Sequence, residues 1–293
     1  MLVSIEDLHN NKIIKIIERN LFEQIRYYRK SPKVQLVDSE RIIKFFTDIP
    51  LPFFNCVIYC DLDKDSLKKE IKNFIRHGTA WNIPLLWQIG PSSGPKDIES
   101  FLSKEGFKYD DHVTGMAADI TGLNNDFKTI PGFKITAVEN SRQLSIWAKA
   151  CLMGFDENGK NFQSIYEFEE PLGYDRALPW VRFIGTVRGE AIATIAVFMG
   201  SETAGLDNVT TVPQWRGRGA GALMVSHALK FAQSLNYRVG VLQASDMGIN
   251  LYDRLGFRKF YTSKEYIWKK TGTDEQNDQN IQKENTNKLA KEI

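Results

Sequence analysis

The sequence predicts a mixed α/β protein, with a partly antiparallel sheet and two similar halves. Three observations carry that expectation. Strand and helix signals over residues 128–270 follow the order βαβββαβαβ. A glycine-rich turn joins a strand to a helix within that order, at Arg216 to Ala222. A weaker copy of the later part of the same order runs through residues 1–125.

The elements of the second half follow in turn. Phe133 to Val138 predicts a strand, and Ser141 to Cys151 a helix with Ser141 as N-cap and Leu144, Trp147 and Cys151 at helical spacing. Met153 to Pro179, punctuated by Gly154, Gly159, Pro171 and Gly173, reads as irregular. Phe183 to Val187 and Ala191 to Met199 flank Arg188-Gly189-Glu190 as a hairpin. A strand at Ala204 to Thr211 leads through a loop, Val212 to Trp215, into the glycine turn and a helix ending at Leu235. A strand at Arg238 to Gln243, a short helix around Gly248 to Leu255 and closing strands to Trp268 complete the half.

Composition narrows the function classes. The 293 residues carry 38 Lys and Arg against 36 Asp and Glu, a net charge of +2. That balance argues against a nucleic-acid partner, which calls for a basic stripe. The longest apolar run, within Ala191 to Met199, suits a strand and falls short of a membrane span, and the first residues lack the cationic and apolar stretches of a signal peptide. Cys56, Cys60 and Cys151 form no CxxC pair, so neither a disulfide framework nor a metal site is indicated. The expectation is a cytoplasmic protein. Polar turn formers at Thr121 to Asp126 mark a seam between an amino-terminal half, 1–125, and a carboxy-terminal half, 128–270. Residues 271–293, rich in Asn, Gln, Lys and Glu, read as a disordered tail.

The informative segment is Arg216-Gly217-Arg218-Gly219-Ala220-Gly221-Ala222. Alternate glycines let a ligand approach the backbone, and the N–H groups at a helix start favour an anion. Arg216 and Arg218 add positive charge, giving a cradle for a pyrophosphate. Gly217 to Ala222 also satisfies GxGxxA, a dinucleotide fingerprint, but the next strand, Val239 to Gln243, carries no carboxylate for a ribose, and the turn does not open the first βαβ unit.

Residues 130–268 resemble the GNAT superfamily of acetyl-CoA-dependent N-acyltransferases. Arg216 to Gly221 matches its R/Q-x-x-G-x-G/A signature, and Leu251-Tyr252-Asp253-Arg254-Leu255-Gly256-Phe257 matches its LY-x-x-x-GF signature. The resemblance implies a sheet splayed between two parallel strands, with Val209, Thr210 and Thr211 beside the pantetheine of acetyl-CoA. It implies that the N–H groups of Arg216, Gly217, Arg218, Gly219, Ala220, Gly221 and Ala222 hold the pyrophosphate. Ser245 stands where the family often has an Asn on the pantetheine.

The resemblance further implies that Tyr252 is the acid that protonates the departing thiolate. Asp207 is the leading candidate for the general base, on a strand whose alternation places it on the face of Val209. Glu202 and Asp246 are weaker candidates, and His227 suits packing. No cysteine lies beside either signature, so direct transfer in a ternary complex is expected rather than an acyl-enzyme. The acceptor would be a primary amine of a small molecule or, as the second choice, of a protein. Asp156, Glu157, Glu167, Glu169 and Glu170 offer an acidic rim for it, or only a solvated loop. A non-catalytic acyl-CoA-binding or regulatory module of the same fold is the alternative, and a homodimer is compatible with either.

The first half looks like a degenerate second copy, a tandem arrangement found in parts of the family. Phe53 to Tyr59, Ser66 to Arg76, Pro84 to Ile89 and Pro95 to Phe107 correspond to the strand, helix, strand and helix around the glycine turn. Its own turn, Asp61 to Asp65, has no glycine and three carboxylates, which repel a pyrophosphate, and Leu102 stands at the Tyr252 position. One acetyl-CoA site is expected, with no metal. Trp81, Trp87, Phe53 and Phe54 read as core.

Overall fold

The structure, a computed structural model, describes residues 10–122, 127, 129–155 and 159–270; the tail and most of the seam lie outside them. The first half contributes α1 (Asn10–Tyr27), β1 (Gln35–Asp38), β2 (Ile42–Phe46), β3 (Cys56–Cys60), α2 (Lys64–Trp81), β4 (Leu85–Ile89), α3 (Ile98–Lys104) and β5 (Lys108–Asp119). The second contributes β6 (Phe133–Ala137), α4 (Ser141–Gly154), α5 (Phe162–Glu169), β7 (Trp180–Val187), β8 (Glu190–Met199) and β9 (Ala204–Thr211). It ends with α6 (Ala220–Ser234), β10 (Val239–Ala244), α7 (Asp246–Arg254) and β11 (Arg258–Trp268).

All the strands among the described residues join one 11-stranded sheet in the order β1-β2-β3-β4-β11-β5-β10-β9-β8-β7-β6. The halves exchange their last strands. β5 pairs with β10 of the other half and β11 with β4, both antiparallel. The cores show why the exchange holds. Met116 and Ala118 of β5, and Ile120 just after it, are buried among Leu242, Leu229 and Phe257, while Tyr266 of β11 is buried among Val57, Trp87 and Phe107. Each half thus completes its core with apolar side chains from the other.

Local chemistry explains most of the elements. Arg188 and Gly189 both take positive φ, 52° and 84°, the geometry of a two-residue hairpin turn between β7 and β8. β8 is buried on both faces, which fits its position inside the sheet. Asn140, not Ser141, caps α4, accepting from the Gln143 N–H at 3.0 Å; either type serves as a cap, and the helix starts one residue after the Asn. The stretch that reads as irregular contains α5, whose Ile165 and Phe168 bury under α4 and whose glycines fall outside it. The closing segment is a single strand. Of the predicted core aromatics, Trp87 is buried, but Trp81 is 49% and Phe53 60% exposed. Trp81 is the last residue of α2, where its ring stacks on His77 in a surface array.

The exchanged strand β11 holds a strained charge. Glu265 is buried, opposite Asp111 of β5 and Gln88 of β4. Burial, then the charges of Asp111 and Asp110, push its carboxyl up to about 7. A carboxyl with a raised folded-state pKa holds its proton more tightly in the fold than in the unfolded chain. Its stabilising effect is therefore present at low pH and is lost as pH rises from about 4.5 through about 7. Glu265→Gln is expected to raise stability at pH 8 by about 3 kcal/mol. The thermal midpoints of variant and wild type should converge by pH 4. A gain independent of pH would show that the charge is not the cause.

Candidate functional site

The site is built where β9 and β10 part. These parallel strands pair only at Ala204–Gly240 and Gly205–Val241, although β9 runs on to Thr211 and β10 to Ala244. The unpaired stretches form a V whose backbone groups are free of a mutual ladder. Tyr252 on α7, Asp207 on β9 and the glycine turn at the start of α6 surround it.

A bulge shapes β9. Ala196 of β8 opposes Asp207 and Thr194 opposes Thr210, so Asn208 and Val209 together face one residue, and Asn208 takes a φ of 50°. Asn tolerates that left-handed geometry better than most residues. Thr194 Oγ1 donates to the Asn208 carbonyl at 2.9 Å and lies 2.7 Å from Thr210 Oγ1, which braces the bulge from β8. The extra residue reverses the expected facing. Val209 packs in the core beneath α6, whereas Asp207 turns to the opposite face, toward α1. The alternation argument that put both on one face fails because a bulge shifts the period by one residue.

Asp207 is held by the other half of the chain. Gln24 of α1 donates to Asp207 Oδ2 and lies 2.6 Å from Tyr28 Oη. The Asn208 N–H donates to Oδ1 at 2.7 Å. Burial raises the carboxyl above the ordinary range, opposed by the bonds from Asn208, Gln24 and Tyr28. α1 is itself fastened beside this site: Asn20 donates to the Thr203 carbonyl at 2.8 Å, and Arg19 pairs with Glu202 at 2.6 Å. Glu202 is thereby engaged at the surface, and Asp246 lies 3.2 Å from His112 Nε2. Neither is turned into the V with Asp207. His227 packs edge-on against Phe183, 4.8 Å between centroids.

Tyr252 is buried, with its ring edge-on to Phe257 at 5.8 Å. Burial, then the nearby Asp207 charge, drive the phenol far above its ordinary value, so it keeps its proton at neutral pH. Among the described residues its hydroxyl has no hydrogen-bond partner. Cys151, expected to be remote, donates weakly to Asn208 Oδ1 at 3.8 Å behind the bulge. It is buried and its thiol is pushed well up, which keeps it a thiol rather than a thiolate.

The glycine turn presents bare backbone. Gly217 and Gly219 take φ of 74° and 93°, values that only glycine adopts freely. No side chain caps α6, and no acidic residue stands in its first turn. Gly221 packs closely, because a Cβ there would lie 3.2 Å from Leu251. Arg216 turns inward, its guanidinium donating to the carbonyls of Thr211 at 3.2 Å and Gly154 at 2.9 Å. It therefore ties the turn to β9 and α4. Arg218 stays exposed over the Trp215 ring at 4.9 Å. Ser245 begins α7 with an exposed side chain that makes no capping bond.

The first half has the same V but a closed one. β3 and β4 pair only at Cys56–Leu86 and Val57–Trp87. Beyond them, Gly94 bridges back to Asp61, and its N–H donates to the Cys60 carbonyl at 2.7 Å. Asp63 caps α2 by accepting from the Ser66 N–H at 2.9 Å, and that bond holds its carboxyl at about 2. An anion would meet a carboxylate where α6 offers open N–H groups.

The acidic rim is dismantled by pairing. Glu169 is buried, accepting from Arg182 Nε at 2.8 Å and Trp180 Nε1 at 2.9 Å. Glu167 pairs with Lys33 at 3.0 Å, and Glu170 accepts from the Tyr166 hydroxyl at 2.5 Å. Asp156 and Glu157 lie outside the described residues. No group of three or more His, Cys, Asp or Glu able to hold a metal occurs among the described residues, nor any helix long and apolar enough to cross a membrane.

Comparison with known proteins agrees with this construction. The model of the acetyltransferase (GNAT) family matches residues 146–257. A GCN5-related N-acetyltransferase from Kribbella flavida superposes with a TM-score of 0.65 at 15% identity, covering 88% of this chain and 96% of its own. A functionally unknown conserved protein from Staphylococcus epidermidis ATCC 12228 gives 0.58 at 11% identity, over 80% and 92% of the two chains. A tandem GNAT protein from the clavulanic acid biosynthesis pathway gives 0.54 at 9% identity, over 94% and 99%. At such identities the likeness is one of fold. A search of curated proteins finds no match.

Proposed function

We propose that this chain, whose residues 146–257 match the model of the acetyltransferase (GNAT) family, is an N-acetyltransferase that moves an acetyl group from acetyl-CoA to a primary amine of a small molecule. Family and fold support acyl transfer at the general level. The observation that carries the finer reading is the open V between β9 and β10, with a proton-holding Tyr252 and a half-buried Asp207 beside it and an uncapped glycine turn at its end.

Acetyl-CoA would supply an acyl group activated as a thioester. The N–H groups of Gly217 to Ala222 would receive its pyrophosphate, and the unpaired backbone of Val209, Thr210 and Thr211 its pantetheine, with the Ser245 hydroxyl in reach of the same arm. Asp207 would take the proton of the attacking amine. Tyr252 would give its own to the departing sulfur. The two groups differ in the needed sense: the phenol is kept protonated, and the carboxyl is raised toward the range in which it can accept a proton. Direct transfer follows, since Cys151 is held as a buried thiol.

Calorimetric titration with acetyl-CoA, paired with detection of free CoA thiol over a panel of primary amines, tests the reading. One acetyl-CoA per chain and amine-dependent thiol release are expected. Two per chain would mean that the first half's closed V also opens. Binding without release for any amine would favour a non-catalytic acyl-CoA-binding module, and no binding would sink the proposal.

A further inference from the structure

α1 carries a row of polar side chains that fastens it to the second half. Arg19, Asn20, Glu23 and Gln24 lie on one side of the helix, because residues four apart are neighbours there. Arg19 pairs with Glu202, and Asn20 donates to the Thr203 carbonyl. Glu23 accepts from the Ser201 N–H at 2.8 Å and from the Ser201 hydroxyl at 2.6 Å. Gly205 lets the helix come this close, since a Cβ there would collide with the Asn20 amide. Gly205 also forms the last rung between β9 and β10, opposite Val241, so α1 is anchored where the V begins.

Gln24 is the member of the row that does something other than fasten the helix to the β8–β9 turn. It is buried, and its side-chain amide donates to Asp207 Oδ2 and to Tyr28 Oη, the latter at 2.6 Å. Both amide hydrogens are thereby used, and a flipped amide would set its oxygen against the carboxylate. Asp207 Oδ1 accepts from the Asn208 N–H at 2.7 Å, and the Tyr28 hydroxyl is a third donor to the same carboxylate. The side chain is therefore gripped from α1 on one oxygen and from the bulge on the other. A carboxylate offers about four acceptor sites, so three donors leave about one for a further hydrogen.

We infer that Gln24 is a positioning residue supplied by the first half, which fixes the Asp207 carboxylate beside the V with one acceptor site left for the attacking amine. The inference rests on the reading of Asp207 as the base. The same bond bears on protonation. A donor to the charged form favours that form, and so opposes the burial that raises the Asp207 carboxyl. The titratable groups facing Asp207 are Tyr28 from α1, Cys151 from α4 and Tyr252 from α7, with the Glu169 charge acting on the first two. All three are raised and neutral at pH 7, so none supplies a cation in place of Gln24.

The test follows the Asp207 carboxyl directly, by magnetic resonance of protein labelled with carbon-13 at its aspartate side chains. Its signal is the one that Asp207→Asn lacks. Gln24→Met keeps the length of the side chain and removes the donor. The midpoint of the Asp207 signal should then rise by about one pH unit, with acetyl-CoA affinity within about twofold of wild type. Thiol release is measured with the primary amine of the panel that wild type acetylates fastest. The variant should lag wild type by a factor about threefold larger at pH 6 than at pH 9, and comparison at each pH cancels the ionisation of the amine itself. An unmoved midpoint, or a deficit equal at every pH, overturns the inference and leaves Gln24 as packing. Should Gln24→Met fail to fold, Gln24→Glu decides. Two carboxyls in contact cannot both ionise freely, so the Asp207 signal should shift upward, and an unmoved signal overturns the inference. Failure of the wild-type chain to bind acetyl-CoA, or to acetylate any amine, is a separate result. It defeats the transferase reading, while the titration still reports whether Gln24 fixes the carboxylate.

Discussion

Replacing Tyr252 by Phe is expected to lower turnover by about 10²- to 10⁴-fold while leaving acetyl-CoA affinity within about twofold. The change removes one oxygen. The ring keeps its edge-on contact with Phe257 at 5.8 Å and its packing over Gly248, where a Cβ would stand 2.9 Å from Tyr252 Cε2. No hydrogen bond within the described protein is broken, so stability should hold within about 1 kcal/mol. What is lost is a proton held where a thiolate would leave, and that loss belongs to the chemical step rather than to binding. The phenol's raised pKa sharpens the expectation. A group that stays protonated to high pH serves as an acid across the neutral range, so wild type should show no basic limb from Tyr252 below pH 9. Unchanged turnover in the Phe variant would remove the acid role and leave Tyr252 as core.

How far the site was legible in the sequence depended on whether its signal was local. The glycine turn, the Leu251 to Phe257 segment and the strands around them are written in short patterns of glycine, Pro and alternating apolar residues. Their positions in the structure follow within a residue or two. The bulge at Asn208 carries no such mark, and without it the alternation of β9 gave Asp207 the wrong face. The engagement of Asp207 by Gln24 and Tyr28 joins positions about 180 residues apart, which no periodicity reports. α1 itself was within reach, since Ile13, Ile16, Ile17, Leu21 and Ile25 recur at helical spacing. Its role was not, because an amphipathic stripe says only that a face is buried. The buried Arg182–Glu169 pair makes the same point: a Glu among other acidic residues reads as a solvated rim until its partner arrives from β7.

The exchange of last strands predicts that neither half is a self-sufficient domain. Residues 128–270 expressed alone are expected to fail to fold or to aggregate, although the glycine turn and Tyr252 lie within them. Cutting at the seam strips β10 of β5, to which it pairs from Val239 to Ala244, and strips β11 of both its neighbours. It also removes Met116, Ala118 and Ile120 from the core under α6, and it exposes the apolar edges left behind. The loss of α1 would leave Asp207 without Gln24 and the 200–207 segment without Asn20. Co-expression of residues 1–125 with the second half should restore a soluble one-to-one complex that binds one acetyl-CoA. Circular dichroism and size-exclusion chromatography of each half and of the pair would decide. A folded, monomeric, acetyl-CoA-binding second half would mean that β10 and β11 can close the sheet between themselves. It would also mean that the first half's strand is an addition rather than a requirement. The expected result makes the joining of the halves a condition of folding: the first half, its own V closed, supplies a strand to the second half's core and a helix to its candidate base.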